Sequence, residues 1–378
     1  MYPIERIFGS VETLKRISPS RFHSLQECAL RELWAAARRP GLLPYAPQAR
    51  LGTVVHKLVE YAGGTTFDQS SIGAALRSRW DELITQTEQE MQTSQLERHL
   101  VPLQNTIADF EVRRIRAMMF AELVAKNSEG RQEAAGERQN ERFEKWLESP
   151  SGLIGGSIDE IEKTNRGTII RDFKSGIITE QDPTSGGIRV KREYEIQLKL
   201  YAALYYMNFR EWPVDLELVP LNGAPISISF VPEDCMALAE LAERTLQTVN
   251  ETVKNILKEN AKLDSLASPA PDHCRYCSYR PACKTYQDIR RQSESENWPR
   301  DLWGTVLKVQ KLRNGKIGLL LEVEGKQTII RGLSSVPERH PALQNLQIGD
   351  AVAVFNLSGA YAASTYTEGI GTVLFPND

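Results

Sequence analysis

The chain has 378 residues, which predicts two or three domains at roughly 150 residues each. Apolar residues make up 41% and charged residues 25%, so disordered, collagen-like and fibrous classes are excluded. The 46 basic and 49 acidic residues leave a formal charge of −3, which taken alone gives no support to a nucleic-acid partner.

No apolar run approaches the ~20 residues of a membrane span, and MYPIERIFGS is not a basic-then-apolar leader. A cytoplasmic protein with no membrane partner is therefore expected. A helix start at Ser18-Pro19-Ser20 leads into helical pattern around Leu25 to Ala37. A Pro/Gly-rich loop follows (Pro40, Gly41, Pro44, Pro47), then LGTVVHKLVEYAGG, a helix closing at Gly63-Gly64. Residues Ile72 to Lys126 are rich in Ala, Leu, Glu, Gln and Arg and predict a mainly helical insertion, about 67–130.

The period then changes. GLIGGSIDEIEK and TIIRDFKSG, joined by Thr164-Asn165-Arg166-Gly167, read as a β-hairpin. EYEIQLKLYAALYYMNF reads as a helix, Val214–Val219 and Ile226–Val231 as strands, and Pro232 to Lys258 as a long helix with Glu233 and Asp234 in its first turn. This order predicts a mixed α/β domain over 1–290. Residues 291–301 are polar and read as a linker. The remainder, 302–378, is β-rich, with Asn314-Gly315 as a hairpin turn, and predicts a small C-terminal barrel, most simply OB-like, although SH3-like barrels share these signals.

On a strand, Asp172 and Lys174 project to one face while Phe173 lies behind them. Asp159, on the preceding strand, would approach Asp172 across the hairpin. Two carboxylates beside a lysine suit a Mg²⁺ site, with hard oxygen ligands for the ion and an ammonium for phosphate or water. His56 offers an imidazole that can ligate a metal, and Gln197 and Tyr201 share one helix face. Of the five cysteines, Cys274, Cys277 and Cys283 stand at C-x₂-C-x₅-C, with Cys28 as a fourth ligand far upstream. That spacing serves either Zn²⁺ or an iron–sulfur cluster. Cys235 begins an apolar helical stretch and reads as a small buried hydrophobe.

In chain order, Cys28, His56, Asp159, Asp172-x-Lys174, Gln197-x₃-Tyr201 and Cys274-x₂-Cys277-x₅-Cys283 resemble the iron–sulfur nucleases of the PD-(D/E)XK superfamily over about residues 18–290. That group includes RecB/AddB-type nuclease domains and CRISPR-associated exonucleases. The resemblance implies a restriction-endonuclease-like core, a central mixed sheet flanked by helices. It implies Mg²⁺ or Mn²⁺ held by His56, Asp159 and Asp172 with the Phe173 carbonyl, and a water or phosphate contact for Lys174. Gln197 and Tyr201 would support the lysine and touch the DNA backbone. Cys28, Cys274, Cys277 and Cys283 would bind a structural [4Fe–4S] cluster.

Local charge points to DNA more than the total does. Residues 1–66 hold nine Lys/Arg against five Asp/Glu, and Lys308, Lys311, Arg313 and Lys316 cluster near the first barrel strands. Lys191, Arg192, Arg275 and Arg280 would extend this track, with Tyr276, Tyr279 and Trp303 as stacking surfaces. The expectation is a metal-dependent DNA nuclease, exonucleolytic on single-stranded ends. The alternatives are a non-catalytic iron–sulfur DNA-binding subunit of a helicase–nuclease complex and a zinc-stabilised RNA-processing protein. No G-x₄-GK[ST] motif is present, so unwinding would come from a separate helicase.

Overall fold

The computed structural model describes residues 7–68, 70–135, 143–182, 184–293, 295–359 and 364–377, with side chains of 127–135 excepted. Helices α1 (Pro19–Glu27) and α2 (Ala29–Ala36) are one stretch of helical sequence broken at Cys28, whose backbone is extended at φ −158°. The break turns that residue out of the helical path. Helix α3 (Pro47–Gly64) begins with proline at its first turn, where a missing N–H costs nothing. Helices α4 (Ile72–Thr93), α5 (Leu103–Thr106) and α6 (Phe110–Ala135) lie against it. Leu51, Val55 and Leu58 of α3 share a core with Leu76, Trp80, Ala117 and Ala121, so the helical insertion has its own apolar interior.

The central sheet has the order β1-β2-β3-β6-β7, from β1 (Phe143–Glu148), β2 (Gly155–Thr164), β3 (Gly167–Lys174), β6 (Asp215–Pro220) and β7 (Ile226–Ser227). A separate hairpin, β4 (Thr179–Gln181) with β5 (Ile188–Val190), follows β3. β1, β2 and β3 run antiparallel, β6 joins β3 in parallel, and β7 returns antiparallel to β6. The mixed sheet follows from the crossover helix α7 (Arg192–Phe209), because parallel neighbours need a long connection. Leu198, Leu200, Ala202, Ala203 and Leu204 of α7 are fully buried, which explains why its sequence is apolar nearly all round. Helix α8 (Pro232–Glu259) packs on α7 and ends at Asn260, in the left-handed conformation that Asn tolerates.

Two short helices, α9 (Pro271–Cys274) and α10 (Lys284–Gln292), flank the cysteine loop. Beyond them, the stretch expected as a linker carries two buried residues, Trp298 and Asp301. Strands β8 (Leu302–Lys311), β9 (Ile317–Val323), β10 (Lys326–Leu333), β11 (Ala351–Phe355), β12 (Thr365–Thr367) and β13 (Val373–Pro376) form one sheet of order β12-β10-β9-β8-β11-β13. Its edge strands β12 and β13 are not paired to each other among the described residues, so the expected closed OB-like barrel is instead an open, curled half-barrel. Register shifts between Val306 and Lys308 and between Ile330 and Leu333 bend it around the Val306–Leu321–Ile330 core. It stays open because β12 adds in parallel to β10, far from the β11 edge that β13 takes. Among the described residues no helix is long and apolar enough to cross a membrane.

Candidate active site

The hairpin β2–β3 is paired from Glu160↔Arg171 to Thr164↔Gly167 and opens beyond that point. Where the ladder stops, the Asp159 carboxylate takes over and accepts from the Phe173 amide at 2.7 Å. β3 continues alongside β6, which keeps Asp172 and Lys174 on a rigid strand. Lys174 Nζ ion-pairs with Asp172 Oδ2 at 2.6 Å and donates to Gln197 Oε1 at 3.2 Å. Gln197 Nε2 in turn donates to Asp172 Oδ1 at 2.7 Å. The amide thus clamps both ends of the Asp–Lys pair, which a side chain with one donor and one acceptor group can do.

His56 reaches this hairpin from α3, with Nε2 at 3.4 Å from Asp159 Oδ1. The approach is close: a Cβ at Gly52 would meet the Ser175 hydroxyl at 2.9 Å, one residue past Lys174. Tyr201 lies one helical turn beyond Gln197, but its hydroxyl donates to the Ser157 carbonyl at 2.6 Å. It braces β2 two residues before Asp159.

Sequence reasoning missed Glu144. Ligand atoms of His56, Glu144 and Asp159 all lie within 4.8 Å of one another, the spacing of a cation site. Phe143↔Glu160 and Lys145↔Ile158 pair across β1 and β2, so Glu144 stands opposite Asp159. Its φ of +50° is left-handed, unusual for glutamate in a strand. Like charges directly opposed on neighbouring strands repel unless a cation lies between them.

The electrostatics agree. Burial, then Glu60 and Asp172, push the Glu144 carboxyl up to about 7. Burial and the nearby Asp172 raise Asp159 well above the carboxylate range. Burial also raises Asp172, against the pull of Lys174. The His56 imidazole is held below its ordinary value by burial and by Lys174. For Lys174 burial works downward, yet the Asp172 ion pair leaves it above the ordinary lysine value. The site is a buried concentration of acid with one fixed ammonium, and its deficit is positive charge.

The profile of the PD-(D/E)XK nuclease superfamily matches residues 16–284. The chain belongs to this superfamily. Asp159 on β2 and Asp172-Phe173-Lys174 on β3 both lie within the matched residues. The superfamily is one of metal-dependent nucleases, so nucleic acid is the substrate class and a divalent cation fits the His56–Glu144–Asp159 group. The matched region contains all four of the grouped cysteines and ends before the C-terminal sheet. No curated protein matches the chain at a significant level.

Cys28, Cys274, Cys277 and Cys283 line one small cavity together with Arg31, Trp34, Arg280 and Tyr286. Burial pushes the Cys274 and Cys283 thiols up to about 12 and raises Cys277 as well. Arg31 and Arg280 act against this for Cys277, and Arg280 for Cys274, but burial outweighs them and the thiols are held neutral. No three of the thiols lie within 4.8 Å of one another among the described residues. A single zinc with Zn–S near 2.3 Å would require sulfurs about 3.8 Å apart. Of the expected stacking residues, Tyr276 is 81% exposed, whereas Tyr279 and Trp303 are buried in the aromatic core and unavailable to bases.

Proposed function

We propose that the chain is a Mg²⁺- or Mn²⁺-dependent deoxyribonuclease of the cytoplasm that trims single-stranded DNA ends. The observation that carries the reading is the convergence of His56, Glu144 and Asp159 beside the clamped Asp172–Lys174 pair. His56, Asp159, Asp172 and the Phe173 carbonyl, joined by Glu144, would hold the ion, which when bound activates water and neutralises charge on the phosphate. Lys174 is kept protonated by Asp172 and kept in place by Gln197. It therefore acts as a fixed ammonium that hydrogen-bonds a phosphate oxygen or the attacking water, and not as a base. Tyr201 acts through β2 rather than on the nucleic acid.

Residues 1–290 form the nuclease domain in this reading, and 302–378 an appended half-barrel module. The four cysteines would hold a [4Fe–4S] cluster that staples Cys28 to the loop nearly 250 residues later. Support comes from the one small cavity that the four cysteines line together. Closing so long a loop gives a cross-link its largest effect on the unfolded chain. A separate helicase would supply the single strand.

End-labelled single-stranded and duplex DNA, incubated with Mg²⁺ or Mn²⁺, tests the reading. Wild type should shorten single strands, and Lys174→Ala should be slower by about 100-fold or more. Tight binding with intact DNA would favour the non-catalytic subunit instead.

A further inference from the structure

A cleft of about 590 Å³ lies between the loop before α3, the cysteine loop and the C-terminal sheet. That volume falls within the ~300–1,000 Å³ of small-ligand sites. Three large apolar side chains stand exposed in it: Tyr276 at 81%, Ile370 at 54% and Tyr45 at 49%. Exposure of this kind, gathered in one concave place, marks a binding site.

Each of the three is mounted on a fixed backbone. The Tyr45 amide donates to the buried Glu97 carboxylate at 3.1 Å, and the Arg50 guanidinium stacks 5.0 Å from its ring centroid. Tyr276 sits inside the cysteine loop, between Cys274 and Cys277. The Ile370 carbonyl bonds to His99 Nε2 at 2.8 Å and accepts from Arg339 at 3.2 Å. The open Tyr276 ring and the uncovered face of Tyr45 are what base stacking needs.

The charge at the rim is positive. Arg275 donates to the Asn297 carbonyl and, like Arg300, has no carboxylate partner among the described residues; Glu296 is the acid in the lining. Two guanidiniums without a carboxylate partner among the described residues, against one carboxylate, suit a phosphate backbone running past the stacked bases. The cleft shares helix α3 with the candidate metal site. Pro47 at its edge starts α3, and His56 lies nine residues further along that helix, roughly 14 Å at 1.5 Å per residue. A single strand spans that distance in a few nucleotides.

We infer that this cleft is a stacking subsite for unpaired nucleobases of the strand whose phosphate lies at the His56–Glu144–Asp159 site. The inference rests on the nuclease reading and adds to it a base-binding subsite and a role for the C-terminal sheet. Bases stack on Tyr276 and Tyr45, Ile370 closes the far wall, and Arg275 and Arg300 hold the backbone. The sheet that carries Ile370 is thereby part of the DNA-binding surface.

The test uses the full chain and fluorescent oligothymidylates of two lengths, one too short to reach the cleft from the metal site and one long enough. Binding is titrated without divalent metal, for wild type, Tyr276→Phe and the Tyr45→Ala/Tyr276→Ala double variant. The double variant should bind the long oligomer at least tenfold more weakly and the short one as wild type does. Tyr276→Phe should bind like wild type. Equal affinity of wild type and double variant for the long oligomer overturns the subsite. Cleavage of the same oligomers with Mn²⁺ judges the nuclease reading separately. A protein that cuts nothing yet loses affinity in the double variant keeps the subsite and loses the enzyme. One that cuts normally with tyrosine-independent affinity does the reverse.

Discussion

Arg280 and Asp301 form an ion pair, Nε to Oδ2 at 2.8 Å, in which neither side chain reaches solvent. The arginine comes from the cysteine loop and the aspartate from the residue before β8. Arg280 also donates to the carbonyls of Cys274, Arg275 and Cys277 and to Asn356 at the end of β11. Tyr286 and the Asn356 amide complete the coordination of Asp301. The cysteine loop and the C-terminal sheet are therefore locked by one fully enclosed guanidinium. Removing one partner strands the other charge, so Arg280→Met or Asp301→Ala should cost about 3–5 kcal/mol. Urea unfolding measures the loss, and limited proteolysis should show the C-terminal sheet released first.

Glu144 gives a pH signature. Its folded value of about 7 exceeds its ordinary 4.5, so without metal the native state resists ionisation and loses stability as pH rises between those values. His56, held below its ordinary value, acts oppositely as pH falls below about 6.5. The difference between wild type and Glu144→Gln isolates the first effect: the variant should gain relative thermal stability from pH 4.5 to 7. Metal binding needs the carboxylate, so wild-type affinity for Mn²⁺ should climb over the same window and the variant's should stay low. Melting curves with and without Mn²⁺ across this range check both slopes.

Neighbouring glycines at the end of α3 should behave differently. A Cβ at Gly63 would lie 2.6–2.8 Å from three atoms of the Phe143 ring, whereas one at Gly64 would meet nothing within 4 Å. Phe143 precedes Glu144, so displacing its ring moves the carboxylate. Gly63→Ala should be overpacked by about 1–3 kcal/mol, partly offset by helix propensity, and should lose activity beyond its loss of stability. Gly64→Ala should be neutral or mildly stabilising. Melting temperatures and cleavage rates of the pair provide the comparison.

Cys28 offers the most direct assay of the thiol site. Cys28→Ser should lower the iron and acid-labile sulfide of anaerobically purified protein and reduce its visible absorbance. It should also loosen α1 and α2 in hydrogen exchange, because their anchor to the distant loop is lost. Colourless wild-type protein containing zinc and no iron would overturn the cluster.

How much of this was legible in the sequence depended on periodicity. Asp172 and Lys174 could be placed on one face because strand alternation is strict, and Gln197 and Tyr201 because helix spacing is. The bond from Tyr201 to the Ser157 carbonyl was not readable, since it depends on how closely α7 approaches β2. Glu144 was invisible: FEKWLE looks like a solvated edge strand, and a left-handed φ in a glutamate leaves no trace in composition. The closed barrel failed for a related reason. Strand count and turns are local, while the parallel addition of β12 to β10 depends on a long-range crossing.

The bond from the Phe173 amide to Asp159 bears on how an inactive form should be made. Asp159 is also the last rung of the β2–β3 hairpin, filling a donor that the opened ladder leaves unmatched. Alanine there would orphan a backbone N–H, so lost turnover could not be told from a frayed strand. Asparagine keeps a carbonyl oxygen for the rung while removing the charge. Asp159→Asn is therefore the substitution that separates architecture from chemistry in this protein.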